Sequence, residues 1–107
     1  MDERERRVGE NEVLFRDVNE RIADINRTFE VGDESFEVVC ECGDANCTAR
    51  LTVAIADYAG VRSDPRRFLI LPRHDDPSVE HVVEETERFA VVQKHQGDPA
   101  RLAIEEA

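Results

Sequence analysis

The strongest hydrophobic pattern in the chain lies between residues 11 and 29. Its apolar positions recur at alternating intervals of three and four, which places their side chains on one face of a helix. The stripe consists of Phe15, Val18, Ile22, Ile25 and Phe29. Asn11 suits the N-cap, and Gly32 suits a position just beyond the helix end. The pattern predicts an N-terminal amphipathic helix over 11–29 that packs on its own domain, with a homodimer through the same stripe as the alternative.

The segments on either side of this helix predict a tail and a strand. Residues 1–10 are mostly charged, which favours a flexible tail or a frayed lead-in to the helix. Phe36, Val38 and Val39 are residue types common in strands, and they lead directly into the first cysteines. They predict a short strand over 36–40.

A second, central helix is predicted over 53–63, where apolar residues continue one helical face. Thr52 suits its N-cap, and Gly60 weakens it. The apolar run FLIL at 68–71 follows and is typical of a buried strand.

The C-terminal part predicts a β-hairpin. Two valine-rich segments, at 80–84 and 88–94, are joined by polar turn residues. A helix is the alternative for the first segment because it is rich in glutamate. Residues 95–107 read as a tail or a short helix, which Asp98 as N-cap and Pro99 at the first helical position would start.

Length and charge narrow the class of protein. The chain has 107 residues, which fit one domain with a thin core. It carries 25 acidic and 14 basic residues, a net charge of −11 at pH 7. Such a field repels nucleic-acid phosphates and makes nucleic acid an unfavoured partner. The charged N-terminus does not resemble a signal peptide, and FLIL is too short to span a bilayer, so the sequence predicts a cytoplasmic protein without a membrane segment.

All three cysteines, Cys40, Cys42 and Cys47, lie within the segment CECGDANC. An odd number of cysteines in a compartment that keeps thiols reduced argues against structural disulfides. Closely spaced thiolates suit a tetrahedral Zn²⁺ ion, and the glycine after Cys42 suits the curled backbone of a metal-binding turn. The cluster therefore predicts zinc. An iron–sulfur cluster is the alternative, although the spacing differs from the ferredoxin pattern.

His74 is the predicted fourth ligand. It follows the FLIL strand, whose end can return beside the cysteines, and Pro72 stiffens its approach. His81 and the carboxylate of Asp44 are alternative ligands, whereas His95 is expected to be exposed. Four protein ligands fill a tetrahedral shell and leave no position for water or substrate. The set Cys40, Cys42, Cys47 and His74 therefore predicts a structural metal site and no enzyme.

The one basic stretch of the chain runs from Arg62 to Arg73. It offers an alternative function, association with nucleic acid through phosphate contacts. The favoured interpretation is a solvated surface on which these arginines pair with the surplus carboxylates.

With these residues in view, the chain resembles a group of small, acidic bacterial proteins of uncharacterised function. The resemblance lies in ENEVLFRDVNERI, CECGDANC, ADYAGVRSDPRRFLILPRH and VVEETERFAVVQK. It implies a shared fold and implies that the cysteines belong with the histidine of the downstream P-x-H segment, His74. It implies no activity.

Together these patterns predict one small α+β domain, stapled by a metal, over residues 1–107. The N-terminal helix would pack on a metal-binding α+β unit over 36–94, which contains the central helix and the C-terminal hairpin. The predicted function is a cytoplasmic, non-enzymatic, zinc-stabilised module that binds a protein partner or acts in regulation. The alternative is a redox or metal sensor built on the same three cysteines and histidine.

Overall fold

The first helix, α1, is longer than the sequence pattern predicts. The computed structural model describes residues 3–28, 35–44, 46–47, 49–95 and 98–105. In it α1 spans Glu3–Thr28 as one helix. Residues 3–10 are therefore helical and not a flexible tail, and Asn11 lies inside the helix instead of capping it. Ion pairs one turn apart, such as Arg6 with Glu10 at 3.3 Å, support this charged first part of the helix.

The face of α1 that packs on the domain is mostly polar. Glu12, Arg16, Asn19 and Ala23 follow one another at helical spacing, and each is at most 2% exposed. Polar side chains this deeply buried need partners. Asn19 bonds to Val39 and Glu41, and Glu12 pairs with Lys94. Arg16 donates to the carbonyls of Pro65 and Ala103. Specific polar contacts therefore hold α1 as well as apolar packing.

The predicted apolar stripe flanks this buried face. Ile22 is half-buried and packs against the main core, and Phe15 is also half-buried. Val18, however, is 38% exposed and its neighbour Leu14 is 56% exposed. The prediction that the stripe forms the domain contact is therefore wrong at Val18, because the polar face has taken its place. The side chain of Ile25 and all of residue 29 lie outside the described part of the chain.

Two strands form a first antiparallel sheet on either side of the cysteine segment. β1 spans Ser35–Val39 and β2 spans Arg50–Ala54. The register places Phe36 opposite Val53 and Val38 opposite Leu51, and all four side chains are buried. The first strand was predicted from its residue types, and the second was not.

The central helix starts later than predicted because β2 occupies the residues before it. α2 spans Ile55–Arg62 and follows β2 directly. Thr52 therefore lies in the strand and cannot be the N-cap; the residue at that position is Ala54, whose side chain makes no capping hydrogen bond. β-branched and apolar residues alternate through LTVA, and pairing with β1 buries Leu51 and Val53. The segment is therefore a strand, because the burial of these side chains on the sheet outweighs the preference of Thr52 for a helix N-cap.

A second, three-stranded antiparallel sheet has the strand order β3–β5–β4. β3 spans Arg67–Ile70, β4 spans Glu80–Glu85 and β5 spans Ala90–Lys94. The buried strand and the C-terminal hairpin are thus confirmed, and the helix alternative for 80–84 is wrong. A third helix, α3, spans Asp98–Glu105 and packs beside α1.

The predicted α+β class is confirmed, with an added sheet that the sequence did not reveal. Apolar side chains from both sheets and α2 form the larger core cluster, around Tyr58, Leu69 and Val91. A second cluster joins Cys40 to Phe68 and other residues of the three-stranded sheet, so the cysteine segment is part of the core. Within the described residues, no helix is long and apolar enough to cross a membrane.

Candidate metal centre

The predicted ligands lie on two loops that the strands bring together. The cysteines lie in the connection from β1 to β2, and His74 follows β3. The amide of Cys40 donates to the carbonyl of Ala49 at 3.0 Å, which closes the base of the first loop. The amide of Glu41 donates to the carbonyl of Leu69 at 2.9 Å, which attaches that loop to β3. Both sheets therefore position the site: the first carries the cysteine loop, and β3 of the second leads into His74.

The four donor atoms of Cys40, Cys42, Cys47 and His74 all lie within 4.8 Å of one another. His74 Nδ1 is 3.7 Å from the sulfurs of both Cys40 and Cys47. A tetrahedral ion with metal–sulfur bonds of about 2.3 Å and a metal–nitrogen bond of about 2.0 Å separates its ligands by roughly 3.5–3.8 Å. The two sulfur–nitrogen distances lie in this range, so the cluster is compatible with an ion of this kind, and all three cysteines are free thiols.

Backbone amides point at the sulfurs, as they do in metal-binding turns. The amide of Leu71 donates to Cys40 Sγ at 3.3 Å. Hydrogen bonds from the amides of Asp44 and Ala49 likewise act on the thiols of Cys42 and Cys47 and favour their ionised forms. These fixed dipoles would stabilise thiolate charge whether or not an ion is bound.

The thiols are unequal without an ion. A hydrogen bond from Cys42 lowers the pKa of Cys40. The same hydrogen bond raises the pKa of Cys42, and burial raises the pKa of Cys47. Cys40 is therefore the most acidic of the three thiols, and a bound cation would displace thiol protons from the cluster.

The turn that presents His74 has the features of a type II turn. The amide of His74 donates to the carbonyl of Leu71 at 3.1 Å. Pro72 occupies the second position, which suits its fixed φ, and Arg73 occupies the third with φ +70°. The predicted role of Pro72 in stiffening the approach to His74 agrees with this geometry.

Gly43 lets α1 lie directly on the cysteine loop. Its φ is +80°, in the left-handed region. A Cβ atom there would lie 2.7 Å from Glu12 Cγ and 2.8 Å from the carbonyl oxygen of Val8. Asn11 Nδ2 also donates to the carbonyl of Gly43 at 3.0 Å. The helix and the cysteine loop are therefore in direct contact.

Gly43→Ala is expected to lower the free energy of unfolding by about 2 kcal/mol or more, since left-handed strain alone is worth roughly 1–2 kcal/mol and α1 must also move. Gly60→Ala is the matched control, because the space around that helical glycine is open and alanine favours helix by about 1 kcal/mol. Urea unfolding of both variants checks this. Equal effects at the two glycines would contradict the described contact between α1 and the loop.

Glu41, between the first two cysteines, organises the polar contacts and was not singled out by the sequence. It is fully buried, and burial raises the pKa of its carboxyl. Its carboxylate accepts hydrogen bonds from Asn19 Nδ2 at 2.7 Å, the amide of Leu69 at 2.9 Å, and Tyr58 and Arg62 at 3.3 Å. The side chain of Glu41 thus links the cysteine loop to α1, α2 and β3. The only signal in the sequence is a charged residue between two ligands.

A second buried group of charges lies where α1 meets the three-stranded sheet. Lys94 Nζ donates a hydrogen bond to Glu80 Oε1 at 2.6 Å and forms an ion pair with Glu12 Oε2, also at 2.6 Å. All three side chains are at most 2% exposed. The ring of Phe68 lies beneath them, with Lys94 Nζ 5.7 Å and Arg16 Cζ 5.2 Å from its centre. This network explains how a polar helix face can be buried.

The alternative ligands are not members of this cluster. His81 and His95 stack on each other with ring centres 5.2 Å apart, on exposed positions of the hairpin. Asp44 directs its carboxylate to the amide of Asn46 at 2.8 Å, which stabilises the loop. Among the described residues, the group that could hold an ion is the one that contains His74.

The arginines of the basic stretch do not form one surface. Arg62 is largely buried and pairs with Glu41 at 3.3 Å. Arg66 pairs with Asp64 at 3.2 Å, and Arg67 donates to Gln93 at 3.1 Å. Arg73 lies apart from them, in the turn before His74. This arrangement agrees with the favoured interpretation of the stretch as arginines paired with nearby acceptors.

Comparisons with protein-family models, with curated protein sequences and with solved structures gave no significant match to this chain. The predicted resemblance to small, acidic bacterial proteins therefore stays a prediction. The class that fold and site define is a small α+β protein with a Cys₃His cluster compatible with metal binding.

Proposed function

We propose that the chain is a cytoplasmic, zinc-stabilised module that binds another protein and catalyses no reaction of its own. The main support is the close approach of three thiols and one imidazole, on loops that belong to both sheets. Cys40, Cys42, Cys47 and His74 would hold the ion. Bound there, it would supply the cross-link between the sheets that a thin core needs.

The donor set favours a structural role over a catalytic one. Sites with three thiolates and a histidine are mostly structural, whereas catalytic zinc sites keep one position open for water. Glu41 lies in sequence between two of the ligands, and its oxygens are occupied by four hydrogen-bond donors. It is therefore poorly placed to act as a general base.

A redox or metal sensor is the second candidate, favoured by the exposure of part of the site. Cys42 and Cys47 are half-buried and His74 is exposed, whereas Cys40 is 1% exposed. Two of the three cysteine residues are therefore partly open to solvent, which a sensor requires and a purely structural site tolerates. An iron–sulfur cluster on the same ligands would give this class of function.

The absorbance spectrum of anaerobically purified protein, with a thiol titration, separates the two candidates. The structural zinc protein is expected to be colourless, with thiols that react slowly until a chelator is added. Visible absorbance with bound iron, or rapid loss of metal on exposure to air, would support the sensor and contradict the structural role.

Two further partners are proposed: a second copy of the chain, through the stripe on α1, and nucleic acid, through the basic stretch. Leu14 and Val18 leave an exposed apolar flank on α1, which favours a homodimer through this helix as a second form of the same function. Association with nucleic acid has weaker support, because Arg62, Arg66 and Arg67 each have a partner within the chain.

A further inference from the structure

A cleft of about 760 Å³ opens beside the candidate metal centre. One wall is the first part of α1, which contributes Arg4 and Arg7, and the other wall is the turn that contains Arg73. Cys42 and His74, two of the predicted ligands, also line it. The cleft therefore places three guanidinium groups from two distant segments next to the metal-binding loops.

These arginines are weakly engaged by the rest of the described chain. Arg73 forms no ion pair or hydrogen bond with any described residue. Arg7 lies 3.9 Å from Glu3, and Arg4 lies 3.5 Å from Asp76, and both arginine side chains are more than 60% exposed. Pairs of this kind are loose and are readily exchanged for a better acceptor. The donors that face the cleft are therefore available to a ligand.

Three carboxylates line the cleft, those of Asp44, Asp75 and Asp76, and the first and last of them are turned to their own loops. Asp76 Oδ1 accepts hydrogen bonds from the amide of Ser78 at 3.1 Å and from its hydroxyl at 2.6 Å. These hydrogen bonds hold the pKa of Asp76 below its usual range. Asp44 Oδ1 accepts from the amide of Asn46 at 2.8 Å. These acids stabilise turns, and they compete only partly for the guanidinium groups.

Arg73 stands where the backbone favours another residue. Its φ of +70° is unfavourable for any side chain and natural for glycine. The turn that presents His74 does not itself require an arginine there. An exposed, strained residue at the edge of a cleft is the kind of outlier that points to a ligand.

We propose that this cleft binds a carboxylate or phosphate group of an anionic ligand through Arg7 and Arg73, with Arg4 at its rim. Guanidinium groups suit such oxyanions because they donate two parallel hydrogen bonds. The net charge of −11 repels anions in general, so a ligand must reach several arginines together to bind. The inference rests on the proposed function: an acidic segment of the partner protein is one source of the oxyanion, and a small free anion is the other.

Binding of two probes to the zinc-loaded protein tests this inference: a labelled hexaglutamate peptide and inorganic pyrophosphate, each measured by titration. Arg7→Gln and Arg73→Gly are each expected to weaken binding about tenfold, the worth of one charge-assisted hydrogen bond. Arg6→Gln is the matched control. It removes the same charge from the adjacent helix position, where the side chain is exposed and pairs with Glu10. Its effect should stay within about twofold if long-range charge contributes little.

Arg73→Gly separates a binding role from a structural one. The substitution relieves the left-handed strain, so the melting temperature should stay the same or rise while binding falls. Binding of the peptide alone identifies a partner segment as the source, and binding of pyrophosphate alone identifies a small anion. An equal loss in Arg6→Gln would overturn the site, as would zinc-loaded protein that binds neither probe. Metal analysis of the same samples distinguishes this failure from that of the proposed function, which fails if the chain carries no zinc.

Discussion

Cys40→Ser is expected to release the metal and to lower the free energy of unfolding by more than about 3 kcal/mol, because structural zinc contributes about 10–16 kcal/mol of binding energy in small peptides. Cys40 is 1% exposed, packs in the core with Phe68 and Ile70, and accepts the amide of Leu71. Serine would therefore remove an ion ligand and place a hydroxyl in an apolar cluster. Urea unfolding with and without a chelator measures both effects.

Asp44→Asn is the control for this experiment, since Asp44 lies in the same loop as the cysteines and its carboxylate faces Asn46. It should retain the metal and nearly all of the stability. If a chelator left the unfolding of the unaltered protein unchanged, or if Cys40→Ser unfolded like Asp44→Asn, the metal would have no structural role.

Lys94→Met is expected to lower the free energy of unfolding by about 3–5 kcal/mol, the usual cost of removing one partner from a buried charge pair. Lys94 lies 2.6 Å from carboxylate oxygens of both Glu12 and Glu80. Methionine fills a similar volume but leaves two buried carboxyl groups without a cation. Arg50→Met is the matched control, because Arg50 and Glu37 form an exposed pair at 3.2 Å, and its loss should cost less than about 1 kcal/mol.

The cost of Lys94→Met should also grow with pH. Burial raises the pKa of Glu12 to about 8. The positive charge of Lys94 opposes this rise, and the negative charge of Glu80 adds to it. When folding raises the pKa of a carboxyl group, the free energy of unfolding of the protein falls as pH rises from the unfolded pKa towards the folded one. Without Lys94 this loss should be larger, and adding Glu12→Gln should recover part of it at about pH 9. A penalty independent of pH, or one equal to that of Arg50→Met, would contradict the buried network.

The parts of the fold that could be predicted are those in which local pattern and burial agree. Two valine-rich segments predict β4 and β5, and the run FLIL predicts a strand that is buried at Phe68, Leu69 and Ile70. Three cysteines within eight residues, followed by a histidine after that strand, identified the side chains that the structure brings together. Ligands on strand-adjacent loops leave a signal in the sequence because their residue types are uncommon.

The missed features depend on partners far away in the sequence. The predicted helix over 53–63 includes the end of β2, and the strand itself was missed because its pairing with β1 spans the cysteine loop. The buried face of α1 was missed because Glu12, Arg16 and Asn19 look like surface residues until Lys94, Glu41 and Phe68 are placed beside them. Helical periodicity identifies a buried helix face by its apolar residues. It cannot identify a buried face whose residues are polar and paired with distant side chains.

Zinc content per chain, measured on anaerobically purified protein beside His74→Ala and His81→Ala, tests the central claim most directly. One zinc per chain in the unaltered protein and in His81→Ala, with weakened retention in His74→Ala, is the result that a Cys₃His site predicts. Three freely titratable thiols and no bound metal would contradict it, and equal retention in both histidine variants would remove His74 from the site.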